Sequence, residues 1–182
     1  MSKDFVFVSG NLKKVEYLEL FLGRKVEHHN LDLTEIQSLD PEEVVEHKAK
    51  EAYRLLKKPV VIEDTSLTFN AWGNLPGPFI KFFLEEMGNE GLCKMMSVFD
   101  DKSAISRVIY GLYDGITFES FSAIVTGKVR DEPKGSFGMG WDPIFIPDNQ
   151  PKTYAEMTEE EHASFSVRNM AVKKLSKYLH EG

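Results

Sequence analysis

The chain has 182 residues, 42% of them hydrophobic and 28% charged, with a net charge of -7, which suits one globular domain with a sizeable core and excludes a disordered segment. The acidic balance argues against a nucleic-acid polymer as partner, because contacts along a phosphate backbone need clustered Lys and Arg; a small phosphate ligand needs only a few local donors. The single cysteine, Cys93, excludes an internal disulfide and a multi-cysteine zinc centre. No apolar run reaches the ~18 residues of a membrane helix, and Met1-Ser2-Lys3-Asp4 leads into a strand-like run without a signal segment, so no membrane is expected and the cytoplasm is the expected compartment.

Phe5-Val6-Phe7-Val8 is apolar throughout and predicts a strand buried on both faces. Ser9-Gly10-Asn11-Leu12-Lys13-Lys14 follows as a polar turn, and Val15, Leu18, Phe21 and Leu22 continue at helical spacing. The N–H groups opening such a helix can hold an anion, and Lys14 sits one turn in. The same pattern also fits an ordinary N-cap with a solvated lysine. Residues 25–33 read as a second strand and Thr34-Glu35-Ile36-Gln37 as the loop after it. A helix then opens on Asp40 as N-cap, with Pro41 at N1 and Glu43 at N3. Its buried face is expected from Val44, Val45, Ala49, Ala52, Leu55 and Leu56.

Pro59-Val60-Val61-Ile62 predicts a buried strand that runs into Glu63-Asp64-Thr65-Ser66 at its carboxyl end. Ligands in α/β sheets gather at such ends. Two adjacent carboxylates repel and resist desolvation, so they call for a cation or strong donors; otherwise they merely open a surface loop. After the turn cluster Asn74-Leu75-Pro76-Gly77-Pro78, one helix is expected from Phe79 to about Gly88 and another from Glu90 to Phe99, forming a small lobe over one side of a cleft. Asp114-Gly115 predicts a hairpin between strands at 104–113 and 116–129, which makes the sheet mixed. Gly135-Ser136-Phe137-Gly138-Met139-Gly140-Trp141-Asp142-Pro143 is richer in glycine than a connection needs. It suits close approach to a ligand, or a tight turn with Trp141 in the core. Ile144-Phe145-Ile146-Pro147 is a short strand, and Thr158 to Glu161 is a capping box opening the last helical region.

Taken together, five spaced motifs in this order make the chain resemble the inosine triphosphate pyrophosphatase family over nearly its whole length: Ser9 to Lys14, Glu63 to Ser66, Leu75 to Lys81, Gly140 to Pro143 and Thr153 to Met157. The resemblance implies one domain over 1–182. Its α/β fold would be a mixed, elongated central sheet with helices on both sides, in two lobes around a cleft. It implies Mg²⁺-dependent hydrolysis of non-standard purine nucleoside triphosphates to the monophosphate and pyrophosphate, by a homodimer. Asp64 matches the catalytic, metal-binding carboxylate and Glu35 a second metal-associated one. Ser9, Asn11, Lys14, Lys48 and Lys81 match phosphate contacts. Thr65, Gly140, Trp141, Asp142 and Arg168 match other substrate contacts.

The departures sit together on the base side. Met139 stands where a phenylalanine is usual, His162 where a lysine is usual, and Val167 where a histidine is usual. They open two alternatives: the same chemistry on a different nucleoside triphosphate, or a non-catalytic nucleotide-binding protein. The intact carboxylates disfavour the second, since a pure binder has no need of Glu35 and Asp64 beside a triphosphate.

Overall fold

The computed structural model describes residues 4–181; Met1-Ser2-Lys3, read above as leading directly into the first strand, lie outside them. The chain divides into two compact units, one of residues 1–64, 108–123 and 170–182, the other of 65–107 and 124–169. The first holds β1 (Val6–Val8), α1 (Leu12–Leu22), β2 (Glu27–His29) and α2 (Pro41–Leu56). Its core is Val6, Val8, Val45, Ala49, Ala52, Val60, Ile62 and Ile109. The buried α2 residues Val44, Val45, Ala49 and Ala52 recur at three- and four-residue spacing as the periodicity predicted. Leu55, expected on the same face, is instead 61% exposed, because it lies three residues past Ala52 on the edge of the stripe near the end of the helix, and Leu56 is only partly buried. Asp40 caps α2 as expected, accepting the Glu42 N–H at 2.9 Å, with Pro41 just inside.

In the second unit lie β4 (Pro76–Gly77), α3 (Ile80–Met96), β7 (Phe145–Pro147) and α4 (Glu159–Phe165). Its core centres on Leu67, Phe69, Ile80, Leu92, Met96, Phe145 and Tyr154, all nearly inaccessible; large side chains buried to this degree contribute about 1.5–3 kcal/mol each. Strands β3 (Val60–Phe69), β5 (Ser103–Tyr113) and β6 (Phe118–Val129) lend a part to each unit, and α5 (Val167–Glu181) closes the chain. The sheet order is β2-β1-β3-β5-β6-β7, with β4 beside β3. β1 pairs in parallel with β2 and β3, whereas β3–β4 and β6–β7 are antiparallel, so the sheet is mixed as expected. Among the described residues no helix is long and apolar enough to cross a membrane.

Four local expectations are corrected. The second strand is three residues long, because β1 offers only three residues to pair with it. Glu63 to Ser66 do not open a loop: β3 runs on through them to Phe69, and beyond the end of β1 it gains β4 as partner through Leu67 and Thr68. Two helices do lie on either side of Gly88, whose φ of 65° and ψ of -174° are not helical, but the second stops at Met96 rather than Phe99. Thr158 does open a capping box, but the last helical region is two helices separated at Ser166, whose ψ of 118° is extended.

Candidate active site

The first unit brings Lys14, Glu35, Lys48 and Asp64 together. β3 carries Glu63 and Asp64 one and two residues past Ile62, which pairs with Val8 at the end of β1. Successive side chains on a strand point to opposite faces, so the two carboxylates part and each meets its own lysine. The Glu63 side chain is fully buried, with Lys14 Nζ 3.4 Å from Oε1 and donating to the Glu63 carbonyl at 3.4 Å. Lys48 lies on the buried stripe of α2, one turn beyond Val44 and Val45. Its Nζ donates to Glu35 Oε1 at 2.9 Å and to Asp64 Oδ1 at 3.5 Å.

Burial pushes the Asp64 carboxyl above its ordinary value, against the pull of the Lys48 and Lys14 ammonium groups. For Lys48, burial pulls the ammonium down, but Asp64 and Glu35 outweigh it and the net direction is up. Among the described residues no group of three or more His, Cys, Asp or Glu is set for a metal. Mg²⁺ asks for less: it takes one or two carboxylates, keeps several waters and uses substrate phosphates. Two carboxylates converging on one ammonium fit that requirement.

Ser9 and Asn11 form the turn into α1. Ser9 Oγ accepts the Asn11 N–H at 3.1 Å, and Asn11 Oδ1 accepts the Lys13 N–H at 3.0 Å as N-cap. Thr65 follows Asp64 on β3, half-buried. Lys81, in the first turn of α3, is 65% exposed and lies 3.9 Å from Glu85.

The second unit gathers around Asp142 the residues expected on the base side. Its Oδ2 accepts the Met139 N–H at 2.6 Å. Gly138, at φ 85°, lies so close that a Cβ there would overlap Asp142 Oδ2. Burial lifts the Asp142 carboxyl to about 6, against the Met139 N–H and Arg168. Trp141 is half-buried and packs on the core, while the exposed Gly140 carbonyl accepts from Asn89 Nδ2 at 3.0 Å. Tyr154, buried at 2% exposure, spans the break between α4 and α5: its hydroxyl donates to the Phe165 carbonyl at 2.9 Å and receives a hydrogen bond from the Val167 N–H. That anchor holds His162 on one side of the break and Arg168 on the other. His162 packs edge-on against Phe137 and Tyr154, each with ring centres 5.2 Å away. Burial lowers its pKa, with Arg168 adding to the effect, so the ring is neutral at pH 7. Val167 is buried at the first position of α5.

Glu63 as the partner of Lys14, and Phe137 and Tyr154 beside His162, are absent from the residues expected in the site. Strand alternation would have separated Glu63 from Asp64. Thr153 to Glu156 has the Thr-x-x-Glu spacing of a second capping box, which the structure forms and which frames Tyr154.

The raised Asp142 pKa has a sign. The folded state holds this proton more tightly than the unfolded chain, so stability falls as pH rises from about 4 to about 6. Asp142→Asn should remove that part of the slope when thermal unfolding is followed across the window. A variant with the wild-type slope would assign the proton elsewhere.

The chain is similar to known proteins along nearly its full length. The model of the Ham1 family matches residues 5–178. The inosine triphosphate pyrophosphatase of Schizosaccharomyces pombe (strain 972 / ATCC 24843) is 41% identical over 181 residues, 97% of this chain and 95% of the relative. A solved HAM1 protein from Coxiella burnetii superposes with a TM-score of 0.88 at 22% identity, covering 99% of this chain and 100% of that one, and shares the fold. A nucleoside-triphosphatase / dITP/XTP pyrophosphatase from Mycobacterium abscessus gives a TM-score of 0.74 at 25% identity, covering 94% of this chain and 98% of that one.

Proposed function

This chain belongs to the Ham1 family, and from that premise we propose that it is a nucleoside triphosphate pyrophosphatase acting on non-standard purine nucleotides such as ITP, dITP and XTP. The observation that carries the reading is the Lys48 ammonium shared by Glu35 and Asp64, with Lys14 beside Glu63. Cations and carboxylates alternate there, as chemistry on a polyanion requires. The 41% identity to an inosine triphosphate pyrophosphatase supports the substrate class.

The phosphate contacts of this reading follow the family resemblance. Ser9, Asn11 and the opening N–H groups of α1 receive a phosphate, and Lys14 and Lys48 neutralise charge; Lys81 adds a further cation. Asp64 orients a water and takes its proton as the water oxygen attacks the α-phosphorus in line. The bond from the α-phosphorus to the bridging oxygen breaks, and pyrophosphate leaves with that electron pair. Glu35 and Asp64 would hold Mg²⁺, which when bound offsets phosphate charge and polarises the reacting group. On the same resemblance the base contacts are Asp142, Arg168, Trp141, Met139 and the backbone at Gly140. A cytoplasmic homodimer completes the proposal, on the family resemblance alone.

A second reading, the same chemistry with relaxed base choice, is favoured by His162 and Val167. A 6-carbonyl purine is selected by donors, because a site built to hydrogen-bond its substrate rejects an analogue lacking the partner. Val167 is buried and offers no side-chain donor, and a neutral imidazole presents an acceptor as readily as a donor. Pyrophosphate release with Mg²⁺ across a nucleotide panel tests both readings. Turnover with a shallow preference for ITP over ATP is expected, and Met139→Phe with His162→Lys and Val167→His should steepen it; GTP shares the 6-carbonyl and serves as the control. A steep wild-type preference that the triple variant leaves unchanged would remove the second reading; no release from any nucleotide would remove both.

A further inference from the structure

We propose, resting on the nucleotide reading above, that Phe137 supplies the ring on which the purine base stacks, in place of Met139. Phe137 is 39% exposed although the loop that carries it is tightly held. Gly135 has a φ of 89° and lies against the Ala155 backbone, where a Cβ would overlap. The Ser136 and Phe137 N–H groups both donate to the Ala155 carbonyl, at 3.1 and 3.2 Å. One residue further on, Gly138 is packed against Asp142. An exposed aromatic ring on so constrained a backbone loses little conformational freedom when it takes a ligand.

The ring also has a defined neighbourhood. Phe137 meets His162 at an interplanar angle of 70°, His162 meets Tyr154 at 68°, and Tyr154 meets the core residue Phe145 with centres 5.4 Å apart. Phe137 is therefore the exposed end of an aromatic row rooted in the core of the second unit. An edge-to-face contact occupies at most one face of a ring, so His162 leaves at least one face of the 39% exposed Phe137 without an aromatic contact from it. Asp142 and Arg168 interact electrostatically, and Arg168 also acts on His162, so groups able to read the edge of a heterocycle belong to the same cluster. Met139, by contrast, has three rotatable bonds and presents no planar face. A planar, polar-edged heterocycle is the ligand this combination recognises.

The test compares Phe137→Ala and Phe137→Trp with the wild type, using ITP and, as a probe without a base, inorganic tripolyphosphate as competitive inhibitor. Loss of a base–aromatic stack should raise KM for ITP about ten-fold or more, leave tripolyphosphate inhibition unchanged, and be rescued by Phe137→Trp. An unchanged KM in Phe137→Ala, or an equal loss of tripolyphosphate inhibition, overturns the assignment. Calorimetric binding of inosine monophosphate separates this from the hydrolytic reading. A wild type that binds it, loses it in Phe137→Ala and releases no pyrophosphate keeps the stacking role and removes the activity. Pyrophosphate release insensitive to Phe137→Ala does the reverse, and a wild type that neither binds nor hydrolyses overturns both.

Discussion

Asp64→Asn should leave a folded protein whose pyrophosphate release is ~10²–10⁴-fold slower, the usual loss when a positioned base is removed. The substitution is nearly isosteric and keeps an oxygen for Lys48, which now lies 3.5 Å from Oδ1. It deletes the negative charge and the proton acceptor. Stability should hold close to wild type, because burial already disfavours the charged carboxylate and a neutral amide avoids that penalty. Saturating rates and melting temperature, measured together, check both halves. A variant that keeps more than about a tenth of the wild-type rate would show that Asp64 is not the base.

Lys14→Ala should raise KM for every triphosphate by about ten-fold or more, since a hydrogen bond to a charged group contributes about 1.5–3 kcal/mol. The loss should not depend on the base, because Lys14 lies on α1 beside the Ser9–Asn11 turn proposed to receive a phosphate. The same change removes the cation that the fully buried Glu63 side chain pairs with, and breaking a buried pair costs about 3–5 kcal/mol. The two effects separate in the double variant with Glu63→Gln: melting temperature should recover while KM stays high. A Lys14→Ala protein that loses one nucleotide and keeps another would mean that Lys14 reads the base.

How much of this was legible in the sequence depends on the range of the interaction involved. The α2 helix was readable from its Asp40 cap to Ala52 on its buried stripe, because capping and periodicity act within a few residues; only its last turn, where Leu55 is exposed, departs. Lys48 falls on that stripe by counting alone. The continuation of β3 through Glu63 to Ser66 was not readable: polar side chains there suggest a loop, and the strand goes on because β5 lies beside it and β4 pairs with its far end. The break at Ser166 was hidden for a similar reason. Tyr154, twelve residues earlier in the chain, fixes the backbone on both sides of it.

By itself the sequence determined the kind of protein: an acidic α/β chain with phosphate-loop, carboxylate and glycine-rich motifs in an order that resembles one family. Those features are local strings of residue types, and their chemistry travels with them. Only the tertiary structure decided the pairings, with Glu63 meeting Lys14 and Asp64 meeting Lys48, and Phe137 standing against His162. Each of these joins residues 16 to 49 positions apart. Charge and ring contacts over such separations depend on which strand lies beside which helix, and that is settled by burying the two apolar cores.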